Sequence, residues 1–339
     1  MKQTLFASIL LCGFAAHSFA QAQPDPISTA ITEARALINE GNAKAAVAKL
    51  QSLPDVKEPR VAQALGVAYY QAGELTRAIE TLAPVVDKLP QDSAQRREAV
   101  QALGLAYYIT GQLADSAPFL EQTSAWAPNN HELTYALGMA YLQTRRTAKA
   151  RESFARMFSL APDSASVHLI TAQMMIRQET LEFAEAELKL AIEKDPKLPQ
   201  THYLLAQIAV LRARYDEGIQ LLEQEIAINP ANAMAYYKLG DAYTLQLKWD
   251  EAIAPLQKSI WLNPYYSGPY ILLGKTYLKK KNFPTAEAML KRAIQFDPNN
   301  KSAHYLLGQV YQQTARPDDA RREFEISEKL KDNLGKIEP

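Results

Sequence analysis

The chain has 339 residues, and its 37 basic and 37 acidic side chains cancel to a formal charge of zero. That balance leaves no basic stripe for a nucleic-acid backbone, and after residue 20 no apolar run is long enough to span a membrane. The one cysteine is Cys12, so the residues after it can form neither disulfides nor cysteine-ligated metal sites.

The first element is a leader. Met1-Lys2 is a short basic start, Leu5 to Ala16 is almost unbroken apolar sequence, and Ser18-Phe19-Ala20 and Ala20-Gln21-Ala22 offer small-residue exits. This is the form of a secretory signal peptide over residues 1–20, cut after Ala20 or Ala22. Lipid attachment is not expected, because Leu11 stands where a small residue should precede Cys12. The mature chain is expected to be exported, to the periplasm or, alternatively, into the medium. A short linker follows over 21–26.

From residue 27 the chain counts in units. Prolines recur every 34 residues at Pro128, Pro162, Pro196, Pro230, Pro264 and Pro298. Ten residues after each stands a small residue: Gly138, Ala172, Ala206, Gly240, Gly274 and Gly308. A fixed period of this size signals a stack of identical supersecondary units. In 131–164, Leu137, Gly138 and Tyr141 make one amphipathic helical stripe, Arg145-Arg146-Thr147 interrupts it, and Ala150, Phe154 and Met157 make a second. Pro162 then closes the unit. Asp163-Ser164, Asn232 and Asn299-Asn300 are polar residues able to cap the helix that follows.

In chain order the units are 27–58, 59–92, 97–130, 131–164, 165–198, 199–232, 233–266, 267–300 and 301–334, with a tail over 335–339. The first is degenerate, marked by Ala34, Leu37, Gly41, Ala46 and Leu50. The step from Ala34 to Gly66 is 32 residues and that from Gly66 to Gly104 is 38, so a local break, a possible hinge, is expected near 54–59 and 91–96. Charges crowd Asp318 to Lys331, as a terminal capping unit requires.

The 34-residue length, the Leu-Gly-x-x-Tyr first helix, the Ala-x-x-x-Phe/Leu second helix and the closing proline resemble the tetratricopeptide repeat. The resemblance covers about residues 27–334. It implies an all-α solenoid, a right-handed superhelix of tandem helix-turn-helix units, with first helices on the concave face. It also implies a scaffold that binds a protein or extended peptide in that groove. The groove slots would hold Gln63, Tyr70, Gln101, Tyr108, Tyr135, Met139, Leu142, Gln173, Ile176, Tyr203, Gln207, Tyr237, Asp241, Tyr305 and Gln309. Tyrosine gives contact area with a polar tip, and glutamine both donates to and accepts from a peptide amide. The lysine and asparagine clamp by which some family members grip a C-terminal carboxylate is missing: Gln63, Gln101, Tyr135, Val67, Leu105 and Met139 fill its slots.

Chemistry is not expected, so the reading includes no catalytic residue, cofactor or metal. The thirteen glycines form neither a G-x-G-x-x-G nor a Walker-type loop. His168, His202 and His304 share one slot that Tyr236 and Tyr270 fill elsewhere, which reads as packing. His131-Glu132 begins like a zinc-protease motif, but Tyr135 stands in place of the second histidine. No G-x-S-x-G occurs. A glycan-handling scaffold is the second reading, although Trp126 and Trp261 fall late in second helices and Trp249 at a second-helix start that reads as core.

Overall fold

The computed structural model describes residues 25–330, and all its regular structure in that range is helical. The expected leader, most of the linker and the tail lie outside the described residues. The chain divides into two compact units after Pro162.

The N-terminal unit holds four helix pairs: α1 (Pro26–Asn39) with α2 (Ala43–Gln51), α3 (Pro59–Gln71) with α4 (Leu75–Leu82), α5 (Ala94–Ile109) with α6 (Leu113–Trp126), and α7 (His131–Gln143) with α8 (Thr147–Phe158). The C-terminal unit holds five: α9 (Ala165–Arg177) with α10 (Leu181–Lys194), α11 (Thr201–Leu211) with α12 (Tyr215–Ile228), α13 (Ala233–Leu245) with α14 (Trp249–Leu262), α15 (Ser267–Lys279) with α16 (Phe283–Phe296), and α17 (Lys301–Gln313) with α18 (Pro317–Lys329). Each first helix packs on its own second helix, and each second helix on the first helix of the next pair in its unit.

One contact explains the small slot. A Cβ built on Gly138 would lie 2.6 Å from Phe154 Cε1, and one on Gly274 would lie 2.5 Å from Leu290 Cγ. Gly240 meets Leu256 in the same way. The first-helix glycine is the hole into which the large second-helix side chain fits, and Phe154, Leu256 and Leu290 are almost wholly buried there. At Gly218 the arrangement is inverted. That second-helix glycine faces Val210 and the Ala206 carbonyl, so the larger residue of the close pair sits on the first helix.

The tyrosine of the motif ties neighbouring pairs together. Tyr141 Oη donates to Glu121 on the preceding second helix at 2.8 Å, Tyr243 to Glu223 at 3.4 Å, and Gln51 Nε2 donates to Tyr69 Oη at 2.6 Å. Burial, reinforced by Glu121, raises the Tyr141 hydroxyl far above its ordinary value. Ion pairs repeat the link at the turns: Arg214 bridges to Glu185 at 2.9 Å and Arg316 to Glu287 at 3.1 Å.

Second helices α6, α10, α12, α14 and α16 all end two residues before a repeat proline, because the residue preceding proline is pushed out of the helical region. The α8 helix stops earlier. Ser159 adopts a left-handed φ of 53°, and Leu160 N donates to Ala155 O at 2.9 Å, the hydrogen bond of a Schellman ending. Asn130, Asn232 and Asn300 cap α7, α13 and α17 by accepting from backbone amides at 3.0–3.1 Å. Ser164 makes no such bond, so its expected cap at α9 does not form.

The two slips of the period do not break the stack as expected. α1 packs on α3, and α3 on α5. The extra residues before α5 are folded away in a 3₁₀ turn over Val86–Lys88, whose surroundings bury Val85, Val86 and Leu89. Arg96 pins that turn, donating to Val86 O at 2.5 Å and to Asp87 at 3.0 Å. At the earlier slip, Glu58 caps α3 by accepting from Arg60 N and Val61 N, each at 3.0 Å. An insertion that carries its own apolar anchors and its own cap shifts the count without opening the fold.

Candidate functional site

The candidate site is the face made by the first helices, taken separately in each unit. In the N-terminal unit Gln63 is 1% exposed. Its Nε2 donates to Glu98 at 2.9 Å, and Arg35 reaches the same carboxylate at 3.0 Å. Gln63 is therefore held inside the stack. Leu142 is also buried, while Gln101, Tyr108, Tyr135 and Met139 are half-buried. Tyr70 is 7% exposed, and burial, with the nearby Glu132 carboxylate, pushes its hydroxyl up to about 12. Tyr108 is pushed up to about 12 by burial and by Tyr135. Tyr135 leans on Phe154, the side chain that fills the Gly138 hole, with ring centroids 6.5 Å apart. The close helix approach and the position of the tyrosine thus share one cause.

In the C-terminal unit one repeat slot carries Gln173, Gln207, Asp241, Lys275 and Gln309 on five successive first helices. Gln207 and Ile176 are buried, and the other four residues of that slot are half-buried. Burial raises the Asp241 carboxyl above its ordinary range against the pull of Lys238 and Lys275. Tyr203 and Tyr237 are half-buried, and Tyr305 is 50% exposed. Tyr237 meets Tyr266 edge-on at 5.1 Å, and Tyr305 tilts over Phe324 at 5.6 Å.

Of the fifteen slots read from the sequence, then, Gln63, Tyr70, Leu142, Ile176 and Gln207 are buried among their neighbours, and ten offer surface. Two kinds of residue were not singled out. Glu132, on the first turn of α7, is exposed, and its charge helps to raise the Tyr70 hydroxyl; the sequence offered it only as part of a failed zinc-protease motif. Lys238 and Lys275 act on Asp241; Lys238 lies three residues before it on the same helix and Lys275 in its repeat slot one unit on, so the spacing was the available signal.

The shared histidine slot has a positioning job. His304 Nε2 lies 2.9 Å from the Pro298 carbonyl, and Tyr270 Oη donates to the equivalent Pro264 carbonyl at 3.0 Å. His304 Nδ1 is 2.6 Å from Glu323, and His168 Nδ1 is 2.7 Å from Glu187. His202 is buried, and burial lowers its pKa against the opposing charge of Glu225. Among the described residues no three of His, Cys, Asp and Glu gather as a metal site. Trp126 is 38% exposed and Trp261 is 71% exposed, each late in a second helix, while Trp249 is half-buried rather than fully within the core.

Stacked helix pairs, a small first-helix residue closed over by a large second-helix one, and a tyrosine latch define a helical-repeat solenoid. Family models described as TPR repeat and tetratricopeptide repeat match residues 274–314, 108–174 and 203–266. The chain belongs to the tetratricopeptide-repeat family. Among solved structures it is similar to MamA from Desulfovibrio magneticus RS-1 (20% identity, 50% of this chain, 95% of that one, TM-score 0.47). It is also similar to YrrB, described as a TPR protein with an unusual peptide-binding site (19%, 53% and 91%, TM-score 0.46). PilF from Pseudomonas aeruginosa is a third (19%, 57% and 88%, TM-score 0.47). No curated protein matches.

Proposed function

We propose that the protein is an exported scaffold that holds a polypeptide partner against its first-helix face, without turnover, in cell-envelope assembly or secretion. The observation that carries this reading is the repeated half-exposed tyrosine. Tyr108, Tyr135, Tyr203, Tyr237 and Tyr305 recur on first helices of both units and each keeps part of its surface exposed. Rigid aromatic rings with a polar tip give contact area at small entropic cost, and the neighbouring Gln101, Gln173 and Gln309 match the hydrogen-bonding needs of a peptide backbone. Support for export comes from the leader-like residues 1–20.

The test is a Tyr135→Ala, Tyr203→Ala, Tyr237→Ala triple variant. It is expected to keep its helical circular dichroism and to lose partners recovered by wild type from an envelope fraction. Loss of an aromatic anchor from a buried interface costs about 2 kcal/mol or more. Full retention of the partners by a folded triple variant would overturn the reading.

A second reading, a glycan-handling scaffold, draws on Trp261 and Tyr265, which are 71% and 77% exposed. Aromatic faces can stack on sugar rings, and the Lys258 ammonium lies 3.8 Å from the Trp261 ring centroid. Quenching of tryptophan fluorescence by oligosaccharides, abolished in Trp261→Ala, would favour it.

A further inference from the structure

We propose that the turn edge of the C-terminal unit carries a second docking site, built by Leu211, Leu245 and Leu247 with Lys279 and Lys281, for a polypeptide segment that presents apolar and acidic side chains together. The site lies where first helices turn into second helices, apart from the residues assigned above to the first-helix face.

Three successive turns form it, and side chains join them. Leu211, Leu245 and Lys279 are the last residues of α11, α13 and α15 and share one repeat slot. Two residues further on, Ala213, Leu247 and Lys281 share another. Gln246 Nε2 donates to Asp216 at 2.8 Å, Lys248 lies 3.9 Å from the same carboxylate, and Lys280 pairs with Asp250. Each turn is thereby tied to the start of the second helix in the pair before it. The leucines on these turns are open to solvent: Leu211 is 60% exposed, Leu245 43% and Leu247 67%. Apolar side chains grouped in this way on a surface mark a place where a partner covers them.

Leu247 carries a second signal. Its φ is 60°, a left-handed conformation in which the Cβ crowds the following carbonyl. The N-terminal unit meets the same turn with Gly41, Gly73 and Gly111, at φ of 79°, 78° and 81°, where no such cost arises. An exposed leucine gives the core nothing that offsets its strained backbone. A contact outside the chain would offset it.

Charge selects the partner. Arg212 and Arg214 reach Glu185 at 2.5 and 2.9 Å, and Lys248 and Lys280 are taken up by Asp216 and Asp250. Lys279 and Lys281 are exposed and make no ion pair among the described residues. The edge thus runs from leucines to two free cations, and an acidic side chain brought there gains a charged partner while a basic one is repelled. A flat anionic lipid surface is a poorer complement. Glu251, on the first turn of α14, is exposed without an ion pair among the described residues, and it would meet the same headgroups.

The experiment is a selection of random dodecapeptides on the purified full chain, followed by fluorescence anisotropy of the selected peptides. The expected result is a class of peptides carrying leucine, isoleucine or phenylalanine near an aspartate or glutamate. Leu247→Gly weakens that class roughly tenfold, although glycine suits the backbone better than leucine does; circular dichroism checks that the variant keeps its helices. Leu247→Met keeps an apolar side chain and keeps binding. Lys281→Gln, or replacing the acid of the peptide by its amide, each weakens binding roughly fivefold, and the double change costs less than the product of the two. Tyr237→Ala leaves this class bound, which separates the turn edge from the first-helix face. If every selected peptide survives Leu247→Gly, or none is selected, the docking edge is overturned, and the first-helix face stands or falls by its own triple variant. Binding to phosphatidylglycerol vesicles that Leu247→Gly abolishes, with no peptide sensitive to that change, would also overturn it and give the edge to lipid.

Discussion

At Gly138 the helices meet so closely that a single methyl group is too much. A Cβ there would sit 2.6 Å from Phe154 Cε1, and Phe154 is 1% exposed with no room to retreat. Gly138→Ala is therefore expected to cost about 1–3 kcal/mol in chemical denaturation, and Gly138→Leu more; an unchanged midpoint would mean that the close approach is not as drawn. Leu247 shows the opposite situation. It sits at the turn between α13 and α14 with a left-handed φ of 60° and is 67% exposed, where glycine would adopt the same backbone freely. Leu247→Gly is expected to raise stability by about 1 kcal/mol, read as a higher denaturation midpoint. Glu185 supplies a pH test. Burial works to raise its carboxyl, but Lys189 and Arg214 beside it hold it below the usual carboxylate range. A lowered folded pKa contributes stability that is fully present above the unfolded value and is lost as pH falls through the folded one. Glu185→Gln should then cost about 1–2 kcal/mol at pH 7, discounted because its arginine partners are over one-third exposed, and the difference should close below about pH 4.

At the scale of elements, the helix pairs were legible because two markers repeat independently of composition. The proline marks where a second helix must stop, and the glycine or alanine marks where the first helix meets its partner. Boundaries set by backbone chemistry can be read this way, and the ends of α12, α14 and α16 fall two residues before Pro230, Pro264 and Pro298. What the period could not convey was how a slip in it is absorbed. Residues 91–96 looked like a break because four residues were surplus, yet just before them Val85, Val86 and Leu89 bury themselves and Arg96 fastens the turn. The prediction at this scale is that Arg96→Ala loosens the link between α4 and α5. Amide exchange over residues 83–96 should accelerate, with a loss of about 1–2 kcal/mol, while exchange in α7 and α8 stays as it was. Unchanged protection in 83–96 would show that the apolar anchors alone hold the turn.

Across the whole molecule, sequence and structure differ most over the candidate site. A repeat slot says which way a side chain leaves its helix, and it says nothing of how closely the next helix covers it. Gln63 and Gln207 share the slots of half-buried neighbours and are themselves buried, Gln63 against Glu98 of the next first helix. Glu132 shows the reverse: it reads as part of a failed metal motif, and in the structure it is exposed on the first turn of α7. The exposed tyrosines were legible, since residue type and slot both pointed to the first-helix face. The central claim is that a polypeptide partner occupies this face. The most direct measurement is site-specific photocrosslinking, with a photoreactive phenylalanine analogue placed at Tyr135, Tyr237 or, for comparison, Trp261, in protein expressed in its own cells. The account predicts discrete polypeptide adducts from positions 135 and 237 and none from 261. Adducts from position 261 alone, or equal yields from all three, would contradict it.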